Sequence, residues 1–418
     1  MTVYSQVLQG AALDALYTGQ VPLAPYRSAE FYDAERTNLF GRAWLLMGRV
    51  EEIAKSGDFV VKPVDILSAS VLIVRGKDDV IRAFHNVCPH RANQVVWEDK
   101  GNQPAFVCRY HNWTFATDGA LRGVPDQANF QNLDKSSCHL RAINLQIWEG
   151  WIFLNFSDKP DITLEEFLGD MAAHLSGIDY IHAADPVVIQ TTLKCNWKVV
   201  GDAFAEAYHI PAIHDVSLKP RFADNGNPFG RPLMVQTFGP HGVNSMYGKP
   251  DYAPKAHQAI EALAFDPRHR SSDKSEAIAR FVSHPAINPT KSASWSMDVN
   301  YIFPNTHIDT NALGILTHQF WPISQNETRH EARFYTGRPL GIRERFAMEH
   351  RIAHALDIIL EDLSNVERTQ KGINSGATDV MQLSQSEVVI QHSVAHIMRW
   401  VEASSARDAL GLSGGASL

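Results

Sequence analysis

Cysteine is scarce in this sequence: there are four among 418 residues, with Cys138 and Cys195 standing apart from the other two. So thin and uneven a set excludes the dense disulfide framework of small secreted domains. Long apolar runs are also missing, since none approaches the roughly 18 residues needed to cross a bilayer. The opening MTVYSQVLQGAALDALYTGQ lacks a basic stretch followed by an apolar core, so no secretory signal is read there and a reducing cytoplasm is the expected setting. Basic charge is in deficit, with 38 Lys and Arg against 46 Asp and Glu and a net charge of −8. That balance gives no electrostatic footprint for nucleic acid or for an anionic membrane surface, and neither is expected as a partner. Internal repeats, a glycine-rich dinucleotide fingerprint and a four-cysteine ferredoxin spacing are absent from the sequence.

What is present reads as an ordinary globular protein, 44% hydrophobic and 20% charged, and longer than one domain of common size. From about Phe59 to Phe156, short β-branched and aromatic runs (FVVKPV, SVLIVRG, VIRAFHNV, FVCRYHNWTF, INLQIWEGWIFLNF) are separated by Gly, Asp and Asn turns. This pattern predicts a small antiparallel β domain over residues 41–158. The segment before it, residues 1–40, is expected to be helical, with Ser28 as an N-cap in SAEFYDAERTNLFGRAW. Residues 159–418 mix helices and strands and include a long helix from about Ile342 to Gly372. The fold class expected is α+β.

The stretch NVCPHRANQVVWEDKGNQPAFVCRYHNW sets Cys88 and His90, then Cys108 and His111, each pair at the end of a predicted strand. Two thiolates and two imidazoles also suit a structural zinc site. Such sites usually pair Cys with Cys and His with His along the chain, whereas here each turn supplies one of each. That interleaving suits a [2Fe–2S] cluster in which one iron takes Cys88 and Cys108 and the other takes His90 and His111. Two neutral imidazoles in place of two thiolates raise the reduction potential above that of a four-cysteine cluster, and an acceptor of electrons results.

A second informative stretch, NWKVVGDAFAEAYHIPAIHD, covers residues 196–215. Trp197, Val200 and Phe204 fall at helical spacing, which predicts an amphipathic helix that Pro211 ends or kinks. Glu206 and His209 lie three apart on one face. His209 and His214, five apart, would diverge by about 140° on an unbroken helix, and a break at Pro211 could bring both imidazoles to one ion. In the long helix, Ile352, Leu356, Ile359, Leu363 and Val366 form an apolar stripe. Glu361 lies opposite it, Asp362 about 80° from its centre, and Glu367 at least as close, so spacing alone leaves the choice of a third ligand open.

CPHR…CRYHNW, with its Arg91 and Trp113 and with TDGAL following, resembles the Rieske segment of non-haem iron oxygenases, and NWK…AEAYHIPAIHD and LEDLSNVERTQKG are similar to the catalytic segments of the same family's large (alpha) subunits. The resemblance runs along almost the whole chain. It implies a Rieske domain followed by a helix-grip catalytic domain, an antiparallel sheet flanked by helices, against which the N-terminal segment packs. It further implies a mononuclear Fe(II) held by His209, His214 and Asp362, with dioxygen as cosubstrate. By the same match Glu206 is the carboxylate that links an iron-binding histidine to the second cluster histidine of a neighbouring subunit; Asp202 is the other acidic residue in reach. Ala203 and Phe204, with Tyr301, Phe303, Asn305, Leu313 and Phe320 of the later strands, are expected to line the substrate pocket. The activity implied is mono- or dioxygenation of an aromatic or other largely apolar compound, as in aromatic hydrocarbon catabolism, or oxidative demethylation of a quaternary ammonium compound. Electrons would come from NAD(P)H through a separate reductase, with or without a ferredoxin, to a trimer or multiple of three, with or without a small beta subunit. A non-catalytic electron carrier and a structural zinc protein are the readings from other classes.

Overall fold

The computed structural model describes residues 19–178, 186–255, 258–265, 272–311, 314–336, 339 and 341–413. The chain folds as two compact units, one of residues Arg36–Phe167 and one made of the described residues up to Glu35 together with those from Leu168 onward. The smaller unit therefore begins and ends several residues outside the 41–158 expected from the strand pattern.

In the chain, β1 (Gln20–Pro22) precedes the smaller unit, whose strands are β2 (Leu45–Arg49), β3 (Asp58–Val64), β4 (Ala69–Arg75), β5 (Ile81–His85), β6 (Lys100–Asn102), β7 (Ala105–Val107), β8 (Thr114–Ala116), β9 (Leu121–Gly123), β10 (Ala142–Trp148) and β11 (Trp151–Asn155). They form one antiparallel sheet in the order β2-β11-β10-β5-β4-β3-β6 and a second of β7-β8-β9. Strand runs such as VLIV are buried along their length, and Leu72 and Val74 of this run join the core of the unit. Phe59, Leu72, Phe84, Phe106 and Phe115 make a core that also encloses Cys88, Cys108 and Trp113. Burying aromatic rings of this size stabilises each by roughly 1.5–3 kcal/mol, which fixes the two loops that carry the cysteines.

The larger unit is built on a seven-stranded antiparallel sheet in the order β12-β18-β17-β16-β15-β14-β13. Its strands are β12 (Val187–Leu193), β13 (Met234–Phe238), β14 (His241–Tyr247), β15 (Trp295–Ile302), β16 (Thr306–Asn311), β17 (Gly314–Ser324) and β18 (Glu327–Tyr335). A short pair joins β1 to β19 (Val380–Gln382). The helices that position the site are α1 (Ala29–Ala34), α2 (Trp197–Ala203), α3 (Ile210–Ile213), α4 (Ile342–Asn374) and α5 (Val388–Glu402). Ser28 caps α1, accepting from the Phe31 amide at 3.1 Å. Among the described residues no helix is long and apolar enough to cross a membrane.

The helix expected through residues 196–215 is two helices. The first stops at Ala203, where the Phe204 and Ala205 amides turn back onto Gly201 and Asp202 carbonyls at 3.2 and 3.1 Å. Pro211 does not break a helix; it sits in the first turn of α3, where its missing N–H has no partner to lose. The non-helical link between them, residues 204–209, carries Phe204, Glu206 and His209.

Asn196, Trp197 and Lys198 lock the start of α2. The Asn196 side chain caps the helix at the Lys198 amide (3.1 Å), and its own amide donates to Gln370 on α4 at 2.8 Å. Lys198 Nζ meets Glu35 at 2.6 Å in a pair almost wholly buried at 1% and 0% exposure. Breaking such a pair by removing one partner leaves a bare buried charge, so the contact fixes α2 whatever its net stabilisation.

Candidate metal centres

In the smaller unit, two loops of matching geometry present the Cys/His pairs. The Cys88 amide donates to the Asn93 carbonyl and the Cys108 amide to the Trp113 carbonyl, at 2.8 and 2.9 Å. In each loop an amide four residues after the cysteine, Ala92 or Asn112, returns to the cysteine carbonyl at 2.9 or 2.8 Å. Ala92 and Asn112 take left-handed backbone angles, with φ of 59° and 57°, and so close the two loops alike.

Cys88 and Cys108 are buried, whereas His90 and His111 are more open, with ring centroids 4.5 Å apart. His90 stacks on Trp113 at 4.8 Å and 7°, which fixes its ring plane. Burial pushes the Cys88 thiol up to about 11, so a metal here must displace a proton to gain a thiolate. Among the described residues, the His/Cys/Asp/Glu group whose ligand atoms converge on a single ion is elsewhere, at His209, His214 and Asp362. A buried thiol pair with an outer imidazole pair is the donor set that a cluster of two irons requires, and a single tetrahedral zinc does not need it spread in this way.

In the larger unit, the link after α2 delivers His209, His214 caps the C-terminal end of α3, and α4 supplies Asp362. Their ligand atoms lie within 4.8 Å of one another. Both imidazoles turn Nε2 to the same carboxylate oxygen, Asp362 Oδ1, at 3.2 Å from His209 and 2.9 Å from His214. Asp362 lies on the buried side of α4 with Ile359, Leu363, Val366 and Gln370, at the spacing of one helical face. Burial alone would raise its pKa, and the imidazoles of His209 and His214 outweigh that and hold the carboxyl below its ordinary range. Burial likewise opposes charge on His209, but the Asp362 and Glu206 carboxylates reverse the effect and lift it to about 10. One carboxylate facing two imidazoles is a donor set for a cation, which would displace the protons that the imidazoles otherwise share with Asp362. The donor set fits an iron(II) held by two histidines and one carboxylate with coordination positions left open.

The outward nitrogens are held as well. Glu206 accepts from His209 Nδ1 at 2.5 Å and also from the Tyr208 amide. Glu361 accepts from His214 Nδ1 at 2.6 Å and from Ser217. A carboxylate on each Nδ1 selects the tautomer that leaves Nε2 free to bind metal. Glu361, read from the sequence as facing away from the stripe, is the residue that spacing missed; the paired carboxylates of LEDLS, one turned inward and one to the flank, were the available signal. Glu361→Ala should weaken iron(II) binding about 10- to 100-fold with the fold intact, as measured by metal titration of the metal-free protein.

Other sequence candidates have different occupations. Glu367 accepts from the Lys194 amide at 2.9 Å, and Asp202 accepts from the Tyr26 hydroxyl at 2.6 Å, so neither serves the histidines. Phe204 stacks over His318, His330 and Phe320, with centroids 4.5, 5.1 and 5.8 Å away. Ala203 is the last residue of α2. Tyr301 donates to the Pro304 carbonyl at 2.7 Å, and Asn305 donates to the Phe320 carbonyl at 3.3 Å. Phe303 packs against Trp400 and His396 of α5. Leu313 lies outside the described residues.

Comparison with known proteins finds two family models along the chain. Residues 43–139 match the Rieske [2Fe-2S] domain, and residues 171–403 match the ring hydroxylating alpha subunit catalytic domain. The sequence is 29% identical over 206 residues to the carnitine monooxygenase oxygenase subunit of Escherichia coli, covering 49% of this chain and 53% of that protein. It is 32% identical over 240 residues to the chlorobenzene dioxygenase subunit alpha of Cupriavidus, covering 54% and 53%. The chain thus spans about half the length of the curated relatives it matches. In fold it is similar to naphthalene 1,2-dioxygenase from Rhodococcus, at 20% identity and a TM-score of 0.73 over 97% of this chain and 98% of that one.

Proposed function

The chain belongs to the ring-hydroxylating alpha-subunit family and carries that family's Rieske domain, and from this premise we propose that it is the oxygenase component of a multicomponent system that inserts oxygen from O2 into an organic substrate. The observation that carries the reading is the convergence of His209, His214 and Asp362 on one point in the same chain as the two matched Cys/His loops. Cys88 and Cys108 would hold one iron of a [2Fe–2S] cluster and His90 and His111 the other, while His209, His214 and Asp362 would hold the mononuclear iron. When bound, the cluster supplies one-electron transfer and the mononuclear iron supplies dioxygen activation.

The protein's own residues set the conditions for that chemistry. Glu206 and Glu361 fix the two imidazoles and keep their protons on Nδ1, away from the metal. Asp362 sits buried on the inner side of α4 and offers its carboxylate to both imidazoles. Phe204 and the aromatic strand residues supply an apolar wall on which a flat or largely apolar substrate can lie.

We assign Glu206 the further role of connecting the sites, its carboxylate meeting His209 within the chain and His111 of a neighbouring copy in a closed trimer. Electrons reach the cluster from NAD(P)H through a separate reductase, with or without a ferredoxin. Glu206→Gln should keep both metals and slow single-turnover reoxidation of the reduced cluster at least about tenfold, because the amide cannot accept from two imidazoles as a carboxylate does. An unchanged reoxidation rate contradicts the connecting role. The functional reading itself is tested by supplying reduced protein with 18O2 and candidate aromatic substrates: product carrying the label supports it, and turnover without label incorporation contradicts it.

A further inference from the structure

Opposite α2, the face of the sheet that meets Phe204 carries a band of buried polar residues that the metal chemistry does not use. Strand register sets His307 of β16 beside His318 of β17, and His330 of β18 beside Phe320 of β17; Asp309 follows two residues after His307 on the same face. All four polar residues are buried. His318 Nδ1 lies 3.0 Å from His330 Nε2, and His318 Nε2 lies 3.4 Å from Asp309 Oδ2, so carboxylate, imidazole and imidazole run in a line. The band is near the metal triad, since the Asp362 carboxylate acts electrostatically on both His318 and His330.

Two atoms of the band have no partner among the described residues: His307 Nδ1 and Asp309 Oδ1. His307 gives its proton to the Phe204 carbonyl, which leaves Nδ1 as the bare lone pair. Burial keeps the three imidazoles neutral, holding His307 and His318 down to about 4 and His330 well below its ordinary range. Asp309 Oδ1 retains a lone pair whether or not the carboxyl is ionised. Two buried acceptors without donors are a costly arrangement, because each forfeits its hydration without recompense. Of the band, His307 borders a cavity of about 20 Å³ that Lys198, Gly201, Asp202, Tyr301 and Phe320 also line and that has room for about one non-hydrogen atom.

We propose that His307 and Asp309, backed by His318 and His330, are specificity-determining residues that recognise a hydrogen-bond-donating group on the substrate, a hydroxyl or an N–H. The inference rests on the oxygenase reading for the identity of the bound molecule as substrate, and it narrows that reading. A plain hydrocarbon leaves both acceptors unpaired. A quaternary ammonium has no hydrogen to give to either acceptor.

Matched pairs of equal shape test this by calorimetric binding to the iron-loaded protein: indole against indene, and phenol against toluene, with phenyltrimethylammonium as the cation. The donor-bearing member of each pair should bind about tenfold tighter or more, because the site was built to receive its hydrogen. Asp309→Asn and His307→Phe keep the side-chain outlines, and each should reduce that preference to within about twofold while binding of indene is unchanged; the cluster absorbance reports that the variants are folded. Equal binding within both pairs by the unaltered protein, binding of neither member, or tightest binding of the quaternary cation overturns the proposal. The wild-type comparison decides even if both variants fail to fold. Discrimination between the pairs in a protein that contains no mononuclear iron and inserts no oxygen would overturn the oxygenase reading instead and leave the subsite standing.

Discussion

His209→Ala should abolish product formation and lower the iron content by about one per chain, with the visible spectrum of the cluster unchanged. The expectation follows from how little the triad has in reserve. Asp362 Oδ1 is shared between His209 and His214, so removing one imidazole leaves a single histidine and one carboxylate, too few protein ligands to retain iron(II) against water. The second effect is electrostatic: Asp362 is buried, and with half of its partners gone its carboxyl moves back toward the neutral form that burial favours. Affinity should fall by well over the 100-fold expected for loss of a residue that merely orients a ligand. The two Cys/His loops belong to the other compact unit, which is why the cluster should survive. A variant that keeps its mononuclear iron and normal turnover would remove His209 from the metal site.

Cys108→Ser should give a colourless protein that retains at most the mononuclear iron. Cys108 is 1% exposed and packed among Phe106, Phe115 and Trp113, so the hydroxyl fits the space and the fold should persist. A serine hydroxyl is a far poorer anionic ligand than a thiolate, and with Cys88 alone one iron of the pair lacks its anchor. Activity driven through a reductase should be lost entirely, whereas iron bound at His209, His214 and Asp362 should remain measurable by titration. Persistence of a cluster spectrum in this variant would assign Cys108 a structural place in the core and no more.

The sites were far more legible in the sequence than the path of the backbone between them. Cys88, His90, Cys108 and His111 declare themselves because two loops repeat the same order of donors, and the chemistry of thiolate and imidazole depends on identity and order more than on context. The helix link was misread because Trp197, Val200 and Phe204 keep helical spacing up to the point where the chain leaves the helix; the earlier stop goes with tertiary contacts of the residues just past it, Phe204 stacking on His318 and His330 and Asn244 donating to the Ala205 carbonyl, all invisible to local pattern. Asp362 could be selected over Glu361 and Glu367 only by resemblance, since helical angle places three carboxylates near one stripe and the discriminating fact is which histidine each one meets. Glu361 escaped for the same reason. The His307, Asp309, His318 and His330 band is written in strands as polar residues within THID, LTHQF and TRHEA, but nothing local says that three neighbouring strands bring these residues side by side.

Phe303 shows the opposite limit. An aromatic residue in a run read as strand serves equally well as pocket lining or as core, and here Phe303 lies in the turn between β15 and β16 and packs on Trp400 of α5. Composition cannot separate the two faces of a sheet when both are covered, and the strands β15 to β18 are buried on both.

Electron paramagnetic resonance of the dithionite-reduced protein, paired with iron and zinc analysis of the same sample, tests the central claim most directly. A rhombic signal with an average g value below that of the free electron, together with about three irons per chain, is the predicted result: two in the cluster of Cys88, Cys108, His90 and His111 and one at His209, His214 and Asp362. A silent spectrum with zinc in the Cys/His loops would make that site structural and contradict the assignment of this chain as an oxygenase.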